Sequence, residues 1–437
     1  MSEGPRPLSD SAAGWRLAAP GPGRTLPNGR GLAQRLPPPA SDPAAPTLLV
    51  RLAEVLHDSG VPTPRVEEAV MQGARAIGLE AQVLATPTSL LLSVAGGPVQ
   101  MRRASQGDIH LARLDALDDL LERLEARRVA PTRALEELEA IARLPAPLPR
   151  LLDTLAFAVA SGGAACFFGG SAADALAALL LGMGIGRLLG WFGGDAGRAR
   201  IAVPMACAMA ALLAHGAARL GLPIDASRVS LAALIVLVPG YSVTVAMTEL
   251  AQQHLVSGTA RLAGVLGTLF GMGLGAGLGR ALAERLPAPA AFEPSPALGP
   301  LWSFLALATA PLCFTVLFRA RPKDAPWITA GGILAFLGAR YGVHLFGPEL
   351  GAFAGALLLG SFASLVARAT GRPVSTVLVP GLMLLVPGSL GFRSVDAFLS
   401  HDALSGVEGA FRMLLVAAAL GAGLLSSQVL VPSRRVL

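Results

Sequence analysis

Of the 437 residues only two are tyrosine, six are histidine and three are cysteine, and Lys323 is the sole lysine. Each scarcity excludes something. With little aromatic material to stack bases, and with its arginines scattered at the ends of apolar runs instead of gathered on one face, the chain is no nucleic-acid binder despite its net charge of +6. Cys166, Cys207 and Cys313 lie in apolar segments without C-x-x-C spacing, so neither disulfides nor a metal site follow, and buried free thiols are expected. No phosphate-cradling loop, zinc spacing or convincing carboxylate pair is present, which leaves no cofactor to predict. Charged residues make up only 15% and mean hydropathy is +0.58, too apolar for an ordinary soluble protein.

What the chain has in abundance is long apolar runs, two of which carry the same tetrapeptide, Leu237-Val238-Pro239-Gly240 and Leu385-Val386-Pro387-Gly388. A Ser-Gly pair follows each at the same distance, Ser257-Gly258 and Ser405-Gly406. Proline inside a helix removes one donor and frees the carbonyl four residues earlier, here those of Ile235 and Met383. Lipid cannot satisfy such carbonyls, so they are expected where protein or a water-filled cavity receives them. Paired interruptions at corresponding points of two halves point to a transporter's binding site.

The halves also match elsewhere. Phe168, Asp174 and Gly182 correspond to Phe318, Asp324 and Gly332 at one constant offset, as do Gly221 and Pro223 to Gly371 and Pro373. The fold class expected is a mainly α-helical polytopic membrane protein: about ten transmembrane helices as two inverted five-helix repeats, preceded by a small cytoplasmic α+β domain. Residues 1–46 read as a disordered Pro/Gly/Ala-rich tail, 47–149 as the α+β domain, 150–283 as the first membrane repeat, 284–300 as a Pro-rich linker, and 301–437 as the second repeat. Ten runs are long enough to cross a bilayer: roughly 151–168, 172–191, 200–220, 229–247, 260–280, 301–318, 327–346, 350–368, 374–392 and 411–431. In the domain, helices are expected at about 47–58, 65–77, 108–127 and 132–142, with strands at 80–86 and 89–95. Glycine ladders at 182/186/190 and 267/271/275/279 predict close helix approach. Arg187, Arg198, Arg200, Arg319, Arg321, Lys323, Arg368, Arg372, Arg434 and Arg435 would flank cytoplasmic turns, against Arg219, Arg228, Arg280, Arg285 and Arg393 opposite, which places the domain inside.

Charged residues in spans mark pathways or partners. Asp174 is read either as a substrate-ammonium or proton site, or as a helix N-terminal residue favoured by the dipole. Glu249 is read as a gate or protonation site, or as a solvated helix end. His215, Arg340 and His344 are read first as interhelical hydrogen-bonding groups. In the domain, His57, Asp58 and Ser59 are consecutive and so point in different directions, which is no catalytic triad.

The chain resembles the bacterial threonine/serine exporter family. In the domain the resemblance rests on Arg51-Leu52-Ala53-Glu54-Val55-Leu56, Ser59-Gly60, Arg65-Val66-Glu67 and Thr86-Pro87-Thr88. In the membrane part it rests on Gly169-Gly170-Ser171 with Asp174, Val238-Pro239-Gly240, Ser257-Gly258 with Arg261, and Leu378-Val379-Pro380-Gly381. It implies a ten-span inner-membrane protein, not an enzyme, exporting threonine and serine on the proton gradient; related two-component versions imply dicarboxylates such as succinate as an alternative. The pathway expected comprises Asp174, Pro239, Gly240, Glu249, Ser257, Gly258, Arg261, Pro380, Gly381, Pro387 and Gly388. The partners expected are a small-molecule substrate and the lipid bilayer, with homo-oligomerisation left open. Two rivals of other classes are a membrane-anchored hydrolase and a passive channel.

Overall fold

The computed structural model describes residues 42–94, 96–104, 107–192, 196–287 and 295–432, without the side chains of 196–200. The expected disorder of residues 1–41, the middle of the linker, the Arg198 and Arg200 side chains, and Arg434 and Arg435 all lie outside the described residues, while residues 45 and 46, expected in the tail, open the first helix.

The chain opens with helices α1 (Ala45–Asp58) and α2 (Thr63–Ala76). Leu48, Leu49, Leu52, Val55 and Leu56 recur at helical spacing and are all buried. Gly60 and Gly78, both at positive φ, end these two helices. Strands β1 (Ala81–Thr86) and β2 (Ser89–Val94) form a hairpin closed by Thr86 opposite Ser89. A third strand, β3 (Gln100–Arg103), pairs antiparallel with β2 and was not expected. Helices α3 (Leu111–Glu125) and α4 (Pro131–Ala142) complete the α+β layer. Its apolar core is continuous with Ala320, Ile328 and Val379 from the rest of the chain.

The remainder is helical: α5 (Arg150–Phe167), α6 (Ala172–Phe192), α7 (Ala196–Arg219), α8 (Ala226–Leu234), α9 (Gly240–Ala251), α10 (Leu255–Ala283), α11 (Pro300–Leu317), α12 (Ala325–Phe346), α13 (Pro348–Thr370), α14 (Ser375–Leu382), α15 (Gly388–Leu399) and α16 (Ala403–Leu430). Among the described residues seven helices are long and apolar enough to cross a membrane: α5, α6, α7, α10, α11, α13 and α16. The expected seventh span is α12. The expected fourth and ninth spans are each two short helices, α8 with α9 and α14 with α15, broken at the Pro-Gly motifs.

The chain alternates direction between two ends. At the domain end, the backbone N–H groups of Leu111 and Ala112 donate to the carbonyls of Phe318 and Arg319, just past α11. At the far end, the N–H of Leu298, just before α11, donates to the carbonyl of Gly170. The 169–171 and 319–324 turns therefore stand at opposite ends of an 18-residue helix, about 27 Å apart at 1.5 Å per residue.

Small residues permit the packing. Gly271, Gly275 and Gly279 lie against α7 at Pro204 and Ala208, while Leu266, Phe270, Leu274 and Leu278 on another face of α10 are exposed, as lipid contact requires. Gly182 and Gly186 lie against Ser161, Phe157 and Thr154 of α5. A side chain at Gly182, Gly186, Gly275 or Gly279 would meet backbone or Cβ atoms of the neighbouring helix, whereas Gly190 and Gly267 of the expected ladders face open space.

Candidate functional site

The two helix breaks cross each other. A Cβ on Gly240 would lie 2.9 Å from the nitrogen of Gly388, and one on Gly388 would lie 3.2 Å from the Cα of Gly240. The α8–α9 pair runs from the far end toward the domain and the α14–α15 pair runs back, so two interrupted helices meet glycine to glycine at mid-depth. Only glycine allows that approach. Among the described residues no hydrogen bond reaches the carbonyl of Ile235 or of Met383, the two groups the prolines free. Both residues line a cavity of about 600 Å³ on the far side of the crossing. Phe168, Phe336 and Arg340 also line it. Arg393 sits 5.4 Å above the ring of Phe168.

Pro380 and Gly381 behave differently. Both lie inside α14, and Gly381 packs against Leu359 of α13. The break comes later, where Met383 to Val386 form turns onto Leu382 and its neighbours before Pro387 opens α15.

On the domain side of the crossing lies a second cavity, of about 270 Å³. Its walls come from α9, α13, α14 and α16, and part of its rim from residues 60–65 of the α+β domain. Glu249 lines it and is 1% exposed. The Glu249 carboxylate takes two bonds from Arg261, from Nε at 3.0 Å and from Nη2 at 3.0 Å. Thr63 Oγ1, at the start of α2, donates to the same carboxylate at 2.9 Å, and the Thr63 N–H does so at 3.3 Å. The positive end of α2 thus faces a carboxylate, an arrangement the helix dipole favours. Ser257 Oγ donates to the carbonyl of Ala85 in β1 at 2.9 Å, and Gly258 lets α10 close against Leu250 of α9. Glu249, Ser257, Gly258 and Arg261 therefore form one cluster on which the domain docks. Beside it, Glu67 accepts from the Ala85 N–H; burial raises its pKa, while that hydrogen bond and nearby His254 oppose the shift.

Asp174 stands apart, at the far end. Its Oδ2 accepts from the Ser171 N–H at 2.8 Å while its own N–H donates to Ser171 Oγ at 3.1 Å, a reciprocal cap on α6. Its Oδ1 accepts from the Asp225 N–H at 2.7 Å, at the start of α8, and Arg228 lies 3.3 Å from Oδ2. Asp324, its counterpart by sequence offset, pairs with Arg372 and Arg321 at the domain end, and Arg321 also pairs with Asp115 of α3. Thr63, Tyr241, Ser364, Ser375 and Ser427, all in or beside the domain-end cavity, were not singled out from the sequence. Of these only Thr63, followed by Pro64 at a helix start, carries a local signal.

The domain's His57 points Nε2 to the Thr86 carbonyl, and Ser59 donates to the Val55 carbonyl. Neither faces a shared cleft, and among the described residues no group of His, Cys, Asp and Glu could hold a metal.

A threonine/serine exporter family model matches residues 47–283, and a second, described as "Threonine/Serine exporter, ThrE", matches residues 303–430. The chain belongs to the threonine/serine exporter family. It is a multi-pass membrane transporter, not an enzyme. A "Probable threonine/serine exporter" of Mycobacterium tuberculosis is 27% identical over 407 residues, covering 88% of this chain and 75% of that protein. The "Pheromone-regulated membrane protein 10" of Candida albicans is 22% identical over 362 residues, 79% of this chain and 33% of the yeast protein. No solved structure matches. In this exporter the two family models divide at the 284–300 segment, so each contributes one of the crossing helix breaks.

Proposed function

We propose that the protein exports threonine and serine across the bacterial inner membrane, driven by the proton gradient, with the α+β domain on the cytoplasmic side. One observation carries the reading: two Pro-Gly breaks cross at mid-depth with a cavity on either side. Such a crossing, in two halves of opposite direction, suits alternating access, in which a central site opens to one cavity or to the other. Unwound carbonyls attract ammonium and half-helix N-termini attract carboxylate, so a zwitterion suits the breaks. Asp174 and Glu249 are the carboxylates we assign to the proton pathway. Glu249 lines the domain-end cavity and Asp174 caps a helix at the far end, and each carboxylate is held by several polar contacts of the chain.

A dicarboxylate such as succinate is the second reading, and Arg340 at the far cavity is the observation that favours it. Medium from cells overexpressing the parental protein should gain threonine and serine, and the Asp174→Asn and Glu249→Gln variants separate the roles of the two carboxylates. Accumulation of succinate instead would favour the second reading. A flux that ignores an imposed proton gradient in vesicles would point to a channel. Single cysteines at Ser171 and Ala325, in a background without Cys166, Cys207 and Cys313, should be labelled from opposite faces; labelling from one face would rule out inverted halves.

A further inference from the structure

The export reading puts a central site at the helix breaks and leaves open what the cavity on their domain side holds. We propose that the domain-end cavity is a binding site for a small hydroxylated zwitterion, with the α+β domain as part of its wall. This rests on the export reading and adds to it a place, a set of contacts and a role for the domain.

The size comes first. About 270 Å³ lies just below the roughly 300–1,000 Å³ that drug-sized ligands occupy, so the chamber suits a small metabolite. The lining decides the chemistry. Thr244 and Thr248 on α9 donate their hydroxyl protons back to the carbonyls of Gly240 and Thr244, and Ser427 on α16 donates to Leu424. With those protons committed, the hydroxyls of these lining residues have only lone pairs left to offer and act as acceptors. An ammonium group has donors and no acceptor, so this wall suits it.

The α14 wall has the opposite character. Val374 and Ser375, at the start of that helix, both line the chamber. The N–H groups of Thr376 and Val377 are taken up by the carbonyls of Pro373 and Val374, but the helix dipole is positive at this end, which suits a carboxylate. Independently, Ser375 Oγ is buried with no hydrogen-bond partner, so its proton is free for a ligand. Leu378, Leu382 and Leu424 complete the lining and accept an aliphatic carbon. The one arginine in the lining, Arg65, is paired with Glu68 at 3.0 Å, so no free cation awaits a second carboxylate. A monocarboxylic amino acid with a short polar side chain fits; a dicarboxylate does not. The domain closes this chamber through Thr63 on Glu249 and Ser257 on Ala85, which makes its movement the condition for filling or emptying the site.

The test uses the full-length protein, purified in detergent in the cysteine-free background, with Ser375→Cys or Ser364→Cys as reporters on two walls. Replacing Ser375 removes no hydrogen bond made within the chain. The rate of reaction with a small methanethiosulfonate reagent is read alone, with L-threonine, and with succinate, and threonine efflux from vesicles is measured in parallel. L-threonine should slow labelling at both positions at least fivefold, and succinate should leave it unchanged. Unchanged labelling with L-threonine while vesicles still export threonine overturns the site and leaves the export reading standing. Failure to react at either position likewise overturns it, because the chamber would then never open. Protection by succinate, with no threonine efflux, overturns both.

Discussion

The two halves of the membrane region share a scaffold and differ in what they carry at its ends. Pro239-Gly240 and Ser257-Gly258 in the first half match Pro387-Gly388 and Ser405-Gly406 in the second. By the same offset Glu249 matches Ala397, and Arg261 matches Gly409. At the end of the first half a buried ion pair receives Thr63 of the α+β domain. At the matching place in the second half the ion pair is missing: Gly409 lies against Ser394, and the Asp402 side chain caps α16 at the Ser405 N–H. The backbone breaks are common property, whereas the buried carboxylate–arginine pair that receives Thr63 belongs to the first half and the second half meets the domain through Arg321 on Asp115. A machine built from similar halves therefore has one end closed by a separate domain and the other closed by its own helices.

The largest effect should come from removing the charge that makes the difference. Arg261→Ala leaves the Glu249 carboxylate buried without its cation, which costs about 3–5 kcal/mol in comparable buried pairs. Glu249→Ala with Arg261→Ala makes this end resemble Ala397 and Gly409, and should recover part of that loss. The domain would still lose the acceptor for Thr63. Thermal unfolding in detergent reads the stability, and limited proteolysis at residues 59–64 reads the docking. If the single and double variants unfold alike, the pair is not what distinguishes the halves.

A pH effect at the same end is next. His110 precedes Leu111, whose N–H docks on the Phe318 carbonyl, and burial pushes its imidazole down to about 4 from an ordinary 6.5. The folded state therefore binds the proton less readily than the unfolded chain. The stability this gives is present above about pH 6.5 and is lost as pH falls through 4, amounting to roughly 3 kcal/mol by then. His110→Asn keeps an acceptor for the α3 cap, so the difference between parent and variant isolates the imidazole. The parent's melting temperature should fall faster than the variant's between pH 7 and 4.5. Parallel curves would mean that His110 does not report on docking.

Much of this was legible in the sequence, for reasons that are local. Proline removes a fixed donor, so the breaks at Pro239 and Pro387, and the lack of an N–H partner for the Ile235 and Met383 carbonyls, follow from chain position alone. Glycine four apart gives close helix contact wherever a neighbour exists. Pro380 shows the limit of that logic: α14 continues through it and ends two residues later, at Leu382, so the break belongs to the second Pro-Gly pair. Strand β3 escaped because Gln100–Arg103 has no apolar alternation, and its pairing with β2 alone defines it. The contact of Thr63 with Glu249 spans 186 residues and leaves no local trace. The chamber's hydroxyls escaped because a serine bonded back to its own helix reads the same whether it faces lipid, a neighbour or a cavity.

The smallest expected effect tests what the halves have in common. Gly240 and Gly388 meet each other, so each should be equally intolerant of a methyl group if the crossing is reciprocal. A Cβ on Gly240 would stand 2.9 Å from the Gly388 nitrogen and 2.9 Å from Val386 Cγ2, while one on Gly388 would stand 2.8 Å from Val238 Cγ1. Overpacking of this kind costs about 1–3 kcal/mol where the neighbours can shift and more where backbone stands in the way. Gly240→Ala and Gly388→Ala should therefore destabilise by similar amounts and lower threonine efflux together. Pro239→Ala and Pro387→Ala, which restore a donor without adding bulk at the crossing, should lower efflux with little loss of stability. Retention of full efflux by either glycine variant would mean that the crossing does not have to move during transport. Unequal effects would mean that one break moves and the other serves as its bearing, and the difference between the halves would then reach the centre of the molecule.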